Sequence, residues 1–307
     1  MAMILDRIAR ADRPGFETMT PAEARAAYTA GAEVLEPPRA ALARVEDTAL
    51  PAADGTPLPA RVYAPAVEEL PVLLYLHGGG FTIGNLETHD SLCRQLALRS
   101  GAAVVALDYR LAPEHRFPTA VEDAWSALRA LPEAGARLGL DTTRLAVAGD
   151  SAGGTLAAVC ALMARDAGLP LALQVLITPG TIAHADTPSH ERFAHGFLLE
   201  RPAIRWFFDQ YIDESDRTDW RFAPMLADDL DGVAPACVVL AECDALVDEG
   251  VMYADRLRAS GVAVDLELYR GVTHDFIKLG RMLPEAARAQ QAIADALRRA
   301  FGTEPDS

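Results

Sequence analysis

At 307 residues, half of them apolar, the chain can bury a substantial core in one large domain or two small ones. With 28 Lys+Arg against 44 Asp+Glu its formal charge is -16, which sets its surface against phosphate backbones and anionic lipid headgroups. Lys278 is its sole lysine, so Schiff-base chemistry is confined to that position, and no Ser-x-x-Lys pair exists because residue 275 is Asp.

The start, Met1 to Arg7, lacks the basic stretch and apolar run of a signal peptide, so a cytoplasmic location is expected. The first ~45 residues read as helices with polar interruptions. Thr20-Pro-Ala-Glu23 has the form of an N-cap with proline in the first turn, and Pro37-Pro38 breaks the pattern. Val45–Leu50 and Leu58–Tyr63 flank Asp54-Gly55, a hairpin signal, so an antiparallel strand pair comes first. Apolar strands then follow at Val72–Leu76, Ala103–Leu107, Leu145–Ala148, Leu173–Thr178, Cys237–Ala241 and Val264–Tyr269. Helical stretches at Ser91–Arg99, Thr119–Ala130, Gly153–Ala167, Glu249–Ala259 and Glu285–Phe301 separate them. This alternation predicts an α/β fold with a mostly parallel sheet of about eight strands, helices covering both faces.

A hydropathy scan would pick out Leu145 to Ala164, but Asp150, Ser151 and the glycines at its middle predict strand, turn and helix rather than a membrane span. Between Ile182 and Leu226 the alternation stops. Phe193, Phe197, Trp206, Phe207, Phe208 and Tyr211 are mixed there with charges, and Pro202 is placed to start a helix. Such an insertion reads as a cap, the alternative being helical elaboration that packs its aromatics into the core. The cysteines (Cys93, Cys160, Cys237, Cys243) form no C-x-x-C pair and suggest no disulfide framework.

The chemistry gathers in four segments. Gly149-Asp-Ser151-Ala-Gly153, between an apolar strand and a helix, is a G-x-S-x-G nucleophile elbow that presents the Ser151 hydroxyl above the sheet edge. His77-Gly-Gly-Gly80 follows another strand. Bare amides there, expected from Gly78 and Gly79 and joined by the N–H of Ala152, would stabilise an oxyanion. His77 is expected to anchor that loop. A serine needs a base, and the base an orienting carboxylate, in the chain order Ser, acid, His. His274 follows the last strand and fits the base. His184, His190 and His195 lie in the insertion, are read as solvated or pocket-lining, and match no metal motif. Glu242, Asp244 and Asp248 follow the preceding strand; Asp244 is favoured, since an N-cap role explains Asp248.

These residues resemble the hormone-sensitive lipase-like family of bacterial carboxylesterases, an α/β-hydrolase group. The match runs through His77-Gly-Gly-Gly80, Asp108-Tyr-Arg-Leu-Ala-Pro-Glu-His115, Gly149-Asp-Ser-Ala-Gly-Gly154, Asp244-Ala-Leu-Val-Asp-Glu-Gly250 and His274-Asp-Phe276. The resemblance implies one hydrolase domain (core about 46–181 and 227–307) under a helical cap from about 1–45 and 182–226. It further implies hydrolysis of short- to medium-chain acyl esters, Asp244 as the triad acid and no cofactor; relatives often form homodimers. Phe81, Phe193, Phe197, Trp206 and Phe207 are the expected substrate contacts. Arg110 and Glu114 are expected to pair, with His115 as scaffold. Two positions depart from the family pattern: Ala245 stands in place of proline after the acid, and Asp275 in place of glycine after the histidine. The same constellation would also serve amides, peptides or lactones, or persist in a silent ligand-binding homologue.

Overall fold

A computed structural model describes residues 1–11 and 14–304. Two helices open the chain, α1 (Ala2–Arg10) and α2 (Pro21–Gly31). The expected cap of α2 is a full capping box: the Thr20 hydroxyl accepts from the Glu23 N–H while the Glu23 carboxylate accepts from the Thr20 N–H.

The strands are β1 (Arg44–Pro51), β2 (Pro57–Ala64), β3 (Leu70–Leu76), β4 (Ala103–Leu107), β5 (Leu140–Asp150), β6 (Leu173–Ile177), β7 (Ala236–Cys243) and β8 (Val264–Thr273). They form one sheet in the order β1-β2-β4-β3-β5-β6-β7-β8. Only β1 with β2 and β2 with β4 run antiparallel; the rest are parallel.

Between the strands lie α3 (Asp90–Ser100), α4 (Thr119–Leu138), α5 (Ala152–Ala167), α6 (Pro188–Arg192), α7 (Arg201–Tyr211), α8 (Val247–Ala259) and α9 (Pro284–Phe301). Successive residues of β3 serve opposite layers. Val72, Leu74 and Leu76 pack with α4, α5 and α8, whereas Leu73 and Tyr75 pack with α3 and α9. All seven residues of β3 are therefore buried, the pattern of a central strand covered on both sides.

One helix departs from the sequence expectation, while the apolar run from Leu145 follows it. Helix α4 does not end at Ala130 but continues through Pro132 to Leu138, where Gly139 stops it in the left-handed conformation. Core burial of Leu131 and Ala134 outweighs the lost proline hydrogen bond. The apolar run from Leu145 divides into β5, a turn at Ser151 and α5, and among the described residues no helix is long and apolar enough to cross a membrane.

Candidate active site

The turn between β5 and α5 holds Ser151 at φ 54°, ψ -122°, a conformation a non-glycine residue adopts only under strain. Glycine is required on both sides. A Cβ on Gly149 would meet the Gly153 carbonyl oxygen at 2.2 Å, and one on Gly153 would meet that of Leu76 at 1.9 Å.

The loop after β8 delivers His274 to this turn, and the loop after β7 delivers Asp244. His274 Nε2 lies 2.9 Å from Ser151 Oγ, and its Nδ1 lies 2.8 Å from Asp244 Oδ2. With the Nδ1–H donating to the Asp244 carboxylate, Nε2 is left to accept the serine proton. The other Asp244 oxygen accepts from the Leu246 N–H at 3.0 Å, so the acid is fixed at both ends. Asp248 is not an N-cap: α8 starts one residue earlier, and its carboxylate accepts from the Ser189 N–H at 2.8 Å. Burial drives the pKa of His274 down, but the Asp244 charge and hydrogen bond, then the charges of Asp275 and Asp150, outweigh it and raise it to about 9.

The glycine loop corrects one expectation. The Gly78 N–H donates to Asp150 Oδ1 at 3.0 Å and is not free to meet an oxyanion. Instead Gly79, Gly80 and Ala152 border the cavity beside Ser151. Among the described residues no protein acceptor takes the Gly79 or Gly80 N–H, and Ala152, first residue of α5, has no intrahelical acceptor. Beneath the loop Asp150 also accepts from the Tyr75 hydroxyl at 2.6 Å and meets His89 Nε2 at 3.2 Å. Nothing in the local sequence marks His89, because a lone histidine ahead of α3 carries no motif. His77 does anchor the loop: Nδ1 sits 2.8 Å from the Gly78 carbonyl oxygen and the ring stacks on Tyr109.

The cavity above Ser151 is lined largely by apolar groups, with Phe81 and Phe207 among them. Phe193, Phe197 and Trp206 are not. Phe193 packs edge-on against Phe197, and Trp206 borders a surface cleft with Glu17 and Arg205. The reason is helical phase: Ala203, Ile204 and Phe207 share the inner face of α7, and Trp206 is turned aside. Phe16 and Tyr28 join the lining from the N-terminal segment, which no pattern in the sequence connected to the site. His190 also reaches the cavity, while His184 and His195 are exposed. Arg110 pairs with Asp123 and Asp54 rather than Glu114, which binds Arg25 of α2; two acids already enclose the Arg110 guanidinium.

Residues 73–278 match the family described as the alpha/beta hydrolase fold. The chain is 44% identical over 263 residues to the ethyl acetate hydrolase of Pseudomonas putida, covering 83% of this chain and 82% of that protein. The chain belongs to the α/β-hydrolase family and is a carboxylic-ester hydrolase. Its likeness to the carboxylesterase NlhH of Mycobacterium tuberculosis is 43% identity over 253 residues, 80% of this chain and 79% of the relative. The hyperthermophilic esterase of the archaeon Pyrobaculum calidifontis superposes on the hydrolase with a TM-score of 0.91 at 40% identity, covering 97% of this chain and 96% of that one. An ester hydrolase from the metagenome of Lake Arreo, complexed with a bipyridine phosphonate derivative, gives a TM-score of 0.93 at 40% identity, with 98% and 96% covered.

Proposed function

We propose that this esterase hydrolyses short- to medium-chain acyl esters through an acyl-enzyme on Ser151. Ser151 gives its proton to His274 Nε2 and attacks the ester carbonyl, while Asp244 holds the imidazole through Nδ1. The N–H groups of Gly79, Gly80 and Ala152 receive the developing oxyanion. The leaving alcohol takes the proton back from Nε2, and a water deprotonated by His274 then releases the acid. The observation that carries this reading is the single imidazole bridging Ser151 at 2.9 Å and Asp244 at 2.8 Å. Apolar acyl groups suit a phenylalanine-rich cavity, and the Pseudomonas putida relative is named for ethyl acetate.

In the same reading α1, α2 and the segment from about 182 to 226 form the cap. Arg25 of α2 supports this by donating to the carbonyl oxygens of Thr82 (2.9 Å) and Ala112 (2.7 Å) at the rim of the glycine loop. Four unpaired cysteines favour the cytoplasm, and the acidic surface disfavours nucleic acid.

The test is labelling with a phosphonate followed by peptide mapping, then a p-nitrophenyl ester series of increasing acyl length. Modification confined to Ser151, loss of turnover by at least about 10⁴-fold in Ser151→Ala and an optimum at short chains are expected. Labelling elsewhere, or turnover surviving in Ser151→Ala, overturns the assignment.

A further inference from the structure

The alcohol portion of a bound ester has a fixed neighbour. Its leaving oxygen must come within about 3 Å of His274 Nε2 to receive a proton. Asp275 Oδ1 stands 3.9 Å from that same nitrogen, and Asp275 lines the same cavity. The alcohol therefore departs past a carboxylate.

The backbone that carries this carboxylate is fixed beside the imidazole. Asp275 is held at φ 61°, in the left-handed region that favours glycine. Behind it Phe276 is fully buried, and the Lys278 N–H donates to the Asp275 carbonyl at 3.1 Å. Among the described residues neither carboxylate oxygen of Asp275 accepts a hydrogen bond, and the side chain is 29% exposed. Lys278 does not pair with it; its ammonium donates to the Tyr28 hydroxyl at 3.0 Å and lies 3.7 Å from Glu36.

From this geometry we propose that Asp275 determines specificity for the alcohol portion, favouring esters whose alcohol carries a cationic group two or three bonds beyond the leaving oxygen. The proposal rests on the roles assigned above to Ser151 and His274. When the imidazole is neutral, as it must be before attack, no cation among the described residues contacts the Asp275 carboxylate directly, and the buried Lys278 ammonium acts on it only through space. A neutral alkyl alcohol then strips water from that charge without replacing it, whereas a cation replaces the lost hydration with a direct pairing. An anionic alcohol portion meets repulsion at the same place.

The decisive comparison uses two acetate esters of equal shape: 2-(trimethylammonio)ethyl acetate and its neutral isostere 3,3-dimethylbutyl acetate. The readout is the ratio of their kcat/KM values in the wild type, Asp275→Asn and Asp275→Gly. In both variants the cation-to-neutral ratio is expected to fall by about five- to tenfold, the range for one partly screened charge pair. The two parent alcohols, as competitive inhibitors of an aryl acetate assay, should show the same change in their inhibition constants. A ratio within about twofold of wild type in Asp275→Asn overturns the proposal. So does a fall confined to Asp275→Gly, which would assign the effect to the backbone rather than the charge. Ser151→Ala separates this from the parent reading: if it still turns over both esters, the nucleophile is wrong, whatever Asp275 does.

Discussion

The N–H of Gly78 donates to Oδ1 of Asp150 at 3.0 Å, tying the glycine loop after β3 to the residue just before the nucleophile. One buried carboxylate therefore fixes the oxyanion loop and the serine turn relative to each other, with Tyr75 and His89 holding its position. A Cβ on Gly78 would sit 2.3 Å from that carboxylate, so the loop can approach only as glycine.

Asp150→Ala leaves the Tyr75 hydroxyl and the Gly78 N–H buried without an acceptor, at about 1–3 kcal/mol each. A stability loss of about 3 kcal/mol in urea unfolding is expected, together with a fall in kcat as the loop loosens. Asp150→Asn should retain part of both. Burial raises the Asp150 pKa, but His89 and the Tyr75 hydroxyl outweigh it and hold it well below the usual carboxylate range. Its contribution is then fully present above the unfolded-chain value of about 4 and lost as pH falls below it. Stability of the wild type should decline more steeply below about pH 4 than that of Asp150→Asn.

The catalytic imidazole must be neutral to accept a proton, so kcat/KM should rise with pH through its pKa of about 9 and level off above it. Removing the nearby charge in Asp275→Asn should move the inflection to lower pH. A pH–rate profile on one neutral ester checks both; an inflection that stays in place contradicts the contribution assigned to Asp275.

Gly80 lies at φ 56°, and a Cβ there would meet the Phe207 ring at 2.3 Å. Gly80→Ala is expected to displace the loop and reduce kcat by about 10²-fold or more, the cost of losing one oxyanion donor. Circular dichroism should show the fold retained. Unchanged turnover would remove Gly80 from the donor set.

Phe207 and Trp206 are sequence neighbours with opposite expected effects. Phe207→Ala opens the cavity wall and should move the acyl-chain optimum toward longer esters. Trp206→Ala should leave the chain-length profile unchanged, because that ring borders the outer cleft. A p-nitrophenyl ester series compares them directly.

The sheet and the elbow were legible because both are written locally. Near-continuous apolar runs specify strands covered on two faces, and the glycines around Ser151 mark a turn that admits no side chain beside the serine. Where the reading failed, the deciding fact was not local. Gly78 seemed a free donor until its neighbour across the sheet was known, and Arg110 seemed matched to Glu114 until Asp123 and Arg25 came close. The stretch read as Thr119–Ala130 runs on through Pro132 to Leu138, because core packing overrides the proline.

Local sequence patterns specified the fold class and the serine nucleophile with its base. Strand-turn-helix periodicity, a glycine-flanked serine and a histidine after the last strand are short-range patterns, each set by backbone sterics within a few residues. Tertiary structure alone decided which amides face the cavity, which aromatics line it and where the Asp275 charge stands. Those facts depend on helix phase and on contacts between segments up to a hundred or more residues apart, a distance at which no local rule of sterics operates.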